Sequence, residues 1–94
     1  MTAITLPSTY TRYKWLEVIA GDYANTISPI YIRTAVLALV DNSNNLKLGY
    51  SDSDEAGSRK WLLWQPTART LTRGGQGDTA NAHIIWSARL SNSL

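Results

Sequence analysis

The sequence predicts an all-β fold: a small antiparallel β-sandwich or barrel-like domain, homo-oligomeric. Three observations predict it. Short segments rich in Val, Ile, Thr, Tyr and Trp recur along the 94 residues. Clusters of Gly, Asn, Asp and Ser, the residues that turns favour, separate them. Segments 30–40 and 61–64 are apolar on both faces of any strand they form, and a domain of this size cannot cover both sides of several strands with its own chain.

Residues 1–8, polar and holding Pro7, read as an extended N-terminal arm, and residues 9–94 as one domain. Segment 9–19 favours a strand on its Thr, Tyr, Trp, Val and Ile content, with an irregularity at Leu16-Glu17 that a bulge would explain. A helix over 13–20 is the competing reading. Residues 22–29 form a loop by their Asp, Asn, Ser and Pro content. Segment 30–40 follows, read as a central strand. On that reading Ile30, Ile32, Thr34, Val36, Ala38 and Val40 share one face, and Tyr31, Arg33, Ala35, Leu37 and Leu39 share the other. A helix is the alternative, but only Ser28-Pro29 marks a start and no Gly marks an end.

Asp41-Asn-Ser-Asn-Asn45 reads as a hairpin turn, so segment 46–50 is expected to pair with the end of the strand before it. Residues 51–58 make an acidic loop. Segment 59–65 is a strand stopped by Pro66, 68–73 a weaker strand and 74–78 a Gly-rich link. In the closing strand, 81–90, Ala82, Ile84, Trp86, Ala88 and Leu90 form an apolar face, with Ile85 an apolar exception on the polar one.

Nine basic and seven acidic side chains leave a net charge of +2. That is too little for the dense basic face of a nucleic-acid binder. Arg12, Lys14, Arg59 and Lys60 beside Trp15 and Trp61 fit basic stems flanking strands better than a single-strand binding platform. With no Cys, thiol catalysis, thiolate metal sites and disulfides are ruled out, and a reducing compartment fits. The start of the chain lacks the basic and apolar regions of a signal peptide, and the longest apolar stretch, 35–40, is too short to span a bilayer. The expectation is a cytoplasmic protein, or one built into a particle that leaves the cell.

Chemistry-bearing motifs are sparse. Asp52, Asp54 and Gly57 imitate the start of a calcium loop, but Ala56 and Leu63 stand where further ligands belong. A solvated loop near Arg59 and Lys60 explains those acids better. Gly74-Gly75-Gln76 copies the tripeptide of peptide-chain release factors without the basic surroundings that ribosome binding needs, and a turn accounts for it. His83 is the lone His, so one chain cannot build a multi-histidine metal centre, and no Gly-x-Ser-x-Gly elbow accompanies it. The sequence predicts no enzyme, no cofactor and no metal site.

The aromatic residues carry more. Trp15, Trp61, Trp64 and Trp86, with five Tyr and no Phe, suit half-buried surfaces because each has a polar handle. Trp61 and Trp64 are three apart and face opposite ways in a strand, so one serves the core while the other meets a partner. Tyr31, Leu37, Leu39, Trp61 and Trp64 are the expected subunit or partner interface. Burying about 400 Å² of such a face would contribute about 10 kcal/mol before association entropy. Asn42, Asn44, Asn45, Gln76 and Asp78 are expected on outward loops. Sugar stacking on an exposed Trp or Tyr, as in a carbohydrate-binding module or lectin, is the rival use of the same residues.

In its size, its lack of Cys, its polar start through Ser8, its Ser/Thr/Asn-rich turns and its closing strand 82–90, the chain resembles the small β-sandwich decoration (cement) proteins of tailed-bacteriophage capsids, commonly trimeric. The resemblance spans the chain in character and rests on no motif, so no residue role carries over. It implies a structural protein on the virion surface that binds copies of itself, as a trimer, and the major capsid protein, with loops 41–45 and 74–80 outward. A glycan is the partner under the rival reading, and neither membrane nor nucleic acid is expected.

Overall fold

The computed structural model describes residues 3–22, 30–41, 43–51, 59–76 and 83–93. Among these residues seven strands and one short helix follow in the order β1 (Ala3–Thr5), a 3-10 turn (Ser8–Arg12), β2 (Trp15–Asp22), β3 (Ile30–Ala35), α1 (Val36–Val40), β4 (Leu46–Ser51), β5 (Arg59–Gln65), β6 (Thr70–Gln76) and β7 (His83–Ser91). They form two antiparallel sheets, β1-β6-β5-β4 and β3-β2-β7. The expected all-β class holds, as a sandwich of four strands on three.

Alternation explains which residues meet between the sheets. Leu16, Val18 and Ala20 of β2 point inward, as do Leu62 and Trp64 of β5 and Leu71 of β6. Tyr10 of the 3-10 turn closes the interior, its ring edge-on to Trp64 at 5.4 Å and 64°. Between β5 and β6, residues 66–69 turn with Arg69 at φ 57°. That left-handed conformation is held in place because Arg69 and Leu6 bond each other: Leu6 N–H donates to the Arg69 carbonyl (2.7 Å) and Arg69 Nε to the Leu6 carbonyl (3.2 Å).

Five expectations need correction. The extended arm, expected to precede a 9–94 domain, is part of that domain: β1 pairs with β6, Ile4 opposite Leu71, and Leu6 is buried. Segment 9–19 is not one strand, since Ser8–Arg12 coils before β2 begins. Segment 30–40 is neither wholly a strand nor central. It runs along the sheet edge as β3 and winds into α1 at Val36, whose N–H bonds the Lys14 carbonyl at 2.8 Å. Because that helix carries the chain from one sheet to the other, β4 pairs with β5 and not with β3.

The fifth correction concerns β7. Its register with β2 passes from Ile19↔Ser87 to Ala20↔Ile85, so Trp86 is the extra residue of a bulge. The bulge reverses the parity of the strand. Ala88 and Leu90 pack on the core as expected, and Ile85, expected on the polar face, is fully buried. The readings of 23–29, Asn42, 52–58, 77–80, Asn81 and Ala82 lie outside the described residues.

Candidate functional site

The outer face of the three-stranded sheet is built around one carboxylate. Leu16 and Val18 face the core, so Glu17 between them faces outward, at the middle of β2. Register places Arg33 of β3 and Arg89 of β7 directly opposite it on either side. Arg89 donates through Nε to Glu17 Oε2 at 3.2 Å, with Nη2 at 3.1 Å from the same oxygen. Arg33 Nε lies 3.8 Å from Oε1, and the Tyr31 hydroxyl donates to Oε2 at 3.0 Å. These side chains roof the carboxylate, and Glu17 is only 9 % exposed although it lies on the outer face of its sheet.

The electrostatics follow from those contacts. The Tyr31 hydrogen bond, then the Arg89 hydrogen bond and the charges of Arg89 and Arg33, hold the Glu17 carboxyl below its ordinary value despite the opposing cost of burial. The same bond to Glu17 pushes the Tyr31 phenol up, with burial adding to it. A carboxylate stabilised in this way is a weak proton acceptor near neutrality, and its contacts tie β2 to both β3 and β7. Two arginines against one glutamate leave one local positive charge.

The Arg33 guanidinium also lies 4.2 Å over the Trp15 ring and bonds the Ser93 carbonyl. Trp15 Nε1 is a buried donor that meets no acceptor among the described residues. A depression of about 420 Å³ lies beside the cluster, lined by Glu17, Ile19, Tyr31, Ser87 and Arg89. Among the described residues no group of His, Asp and Glu could hold a metal ion, and no helix is long and apolar enough to cross a membrane.

A second surface surrounds α1. In a helix, residues three apart share a face. Val36 and Leu39 therefore turn into the core, while Leu37 (68 % exposed) and Val40 (46 %) point out beside Tyr13 (38 %). These apolar groups, with Thr11 and Lys14, line a hollow of about 350 Å³.

The expected interface residues scatter accordingly. Tyr31 lies exposed at the Glu17 cluster and Leu37 exposed on α1. Leu39 and Trp64 are corrections: both are fully buried, Leu39 because the helix rotates it inward and Trp64 because it fills the space between the sheets. Trp61 lies on the outer face of the four-stranded sheet, half-buried, with Lys47 Nζ 4.0 Å from its ring and Gly74 against its edge. Asn44 and Asn45 are exposed between α1 and β4. Gln76 is a further correction: Gly74, Gly75 and Gln76, expected as a loop, continue β6 and pair with Trp61, Lys60 and Arg59; Asn42 and Asp78 lie outside the described residues.

Sequence reasoning missed the Glu17–Arg33–Arg89 cluster. The available sign was a single Glu in the apolar run from Trp15 to Ala20. Its Arg89 partner is 72 residues away, beyond any local pattern. Comparison with protein-family models, with curated proteins and with solved structures finds no match for the chain.

Proposed function

We propose that the chain is a non-enzymatic structural subunit, a decoration or cement protein of a virion that self-associates and reinforces a phage capsid by docking on its major subunit. The observation that carries the reading is the apolar surface of Tyr13, Leu37 and Val40 on a domain of only 94 residues. Exposed apolar groups clustered around a hollow favour association with protein. The small two-sheet fold suits such a building block, and the likeness in size and character to capsid decoration proteins supplies the class.

Carbohydrate binding is the rival, and the depression beside Tyr31, Ser87 and Arg89 is where a sugar would lie. Sugar stacking needs an open aromatic face. One face of Trp15 is taken by Arg33 and one face of Trp61 by Lys47, which weighs against it. Light scattering after size exclusion tests the proposal: the expected result is a trimer or another closed oligomer, and a stable monomer at micromolar concentration overturns self-association. Capsid and portal genes flanking the coding sequence are expected. A Trp fluorescence response to any member of a broad glycan panel would favour the rival.

A further inference from the structure

The two sheets do not match in width. β3 packs over β4, and β7 packs over β6 and β5. Among the described residues β1, the fourth strand of the larger sheet, therefore extends past β7 with no strand of the smaller sheet above it. The flank so formed is a groove of about 280 Å³. Ile4 and Leu6 of the β1 segment form its floor, and Ala88, Arg89 and Leu90 of β7 form its wall. Ile4, Ala88 and Leu90 are only partly covered, although they pack against the core.

The wall is also a sheet edge. β7 runs for nine residues and pairs with β2 on one side, while among the described residues no strand pairs with its other side. Over residues 87–91, beside the groove, this edge offers main-chain donors and acceptors at strand spacing, about 4.8 Å from where the next strand would lie. Among the described residues that position has the shape of a strand, with hydrogen-bonding backbone on one side and apolar side chains beneath.

We infer that this flank is an acceptor groove for an extended segment of a protein partner, which pairs with β7 as a fourth strand of the smaller sheet and covers Ile4. The segment alternates apolar residues, facing down onto Ile4 and Leu90, with an acidic residue facing out beside Arg89. Charge complementarity sets the second requirement. Arg89 lines the groove with 72 % of its side chain exposed, and Glu17 engages only its Nε and Nη2. The remaining guanidinium donors are available to a second carboxylate. A second copy offering its own β7 about a twofold axis does not fit, because each overhanging β1 would run into the larger sheet of the other copy. The groove is separate from the Leu37–Val40 surface, so either assignment can fail without the other.

The test is fluorescence anisotropy on the full chain with a labelled peptide alternating Val and Glu. Its Val–Lys counterpart is expected to bind at least about tenfold more weakly. Of two Val–Glu peptides N-methylated on alternate sets of amides, one is expected to lose about tenfold in affinity, because one set faces β7. Amide hydrogen exchange should slow along β7 on binding. Arg89→Gln should bring the two parent peptides to parity. The proposal is overturned by an unchanged anisotropy up to ~1 mM Val–Glu peptide, by equal binding of both N-methylated forms and their parent, or by protection confined to β4 or α1.

Discussion

The indole N–H of Trp64 donates to the main-chain carbonyl of Leu39 at 3.3 Å, across the interior of the sandwich. This bond joins the larger sheet to the helix that carries the chain away from the smaller one. Leu39 lies in the last turn of α1, where carbonyls have no partner within the helix, and Trp64 supplies one.

Trp64→Phe keeps most of the ring and leaves that carbonyl buried without its donor. A loss of about 1–3 kcal/mol in urea denaturation is expected. Trp64→Ala adds a cavity beside Tyr10 and should cost about 3–5 kcal/mol, enough to unfold a large fraction of so small a domain.

Glu17 ties stability to acid pH. Its folded-state carboxyl titrates below the ordinary value of 4.5. Its contribution is therefore complete above about that pH and is lost as pH falls through the lower folded value. Thermal melts from pH 6 downward should show the midpoint falling below ~4.5. Glu17→Gln should be less stable than the parent at neutral pH and show a shallower acid decline, while an unchanged profile would remove the cluster from the account of stability.

Tyr31 responds at the opposite end of the scale. Its phenol is raised above 10.0 by the bond to Glu17, so its contribution is present below pH 10 and lost as pH rises through the folded value. The alkaline difference spectrum between parent and Tyr31→Phe isolates this group, and in the Glu17→Gln background the Tyr31 transition should move back toward 10.

Leu37→Glu places a charge on the exposed face of α1, where the leucine makes little contact with the core. For the proposed oligomer the expected outcome is dissociation to monomers in sedimentation velocity, with a melting temperature close to that of the parent. Unchanged assembly would exclude this face as the subunit contact and redirect attention to Tyr31 and Ile19.

Gly74 lies under Trp61. A Cβ at this position would stand 2.4 Å from Trp61 Nε1 and 2.9 Å from Cδ1, so the ring must move and leave its place beneath Lys47. Gly74→Ala should destabilise by about 1–3 kcal/mol and change the Trp fluorescence. Combined with Trp61→Leu, the alanine should cost little, and a double-mutant cycle would read the coupling.

Parts of this structure were legible in single stretches of sequence. In 59–65 the Trp and Leu content marked a strand, and the three-residue spacing of Trp61 and Trp64 placed them on opposite faces. Leu46 and Leu48 face inward for the same reason, with Lys47 outward. The stretch Val36-Leu-Ala-Leu-Val40 was ambiguous because aliphatic residues satisfy both periods. The docking of Val36 on Lys14 and the burial of Leu39 beside Trp64 decide for the helix, and these are contacts with residues distant in sequence. The bulge at Trp86 is equally silent, since nothing local says that β2 will skip a residue. Of the site residues, Tyr31 was singled out as an interface residue, but its partner Glu17 was not singled out, because only pairing with β3 and β7 brings the charges together.

The sequence by itself determined the all-β class, the alternation of β4, the opposite facing of Trp61 and Trp64 in β5, and an excess of apolar surface. Those properties follow from side-chain chemistry and local periodicity. Tertiary structure alone decided the division into four strands and three, the helical turn that buries Leu39 and exposes Leu37, and the carboxylate held between two arginines. Each depends on segments far apart in the chain meeting in one register, and the free energy of that meeting is a property of the whole fold.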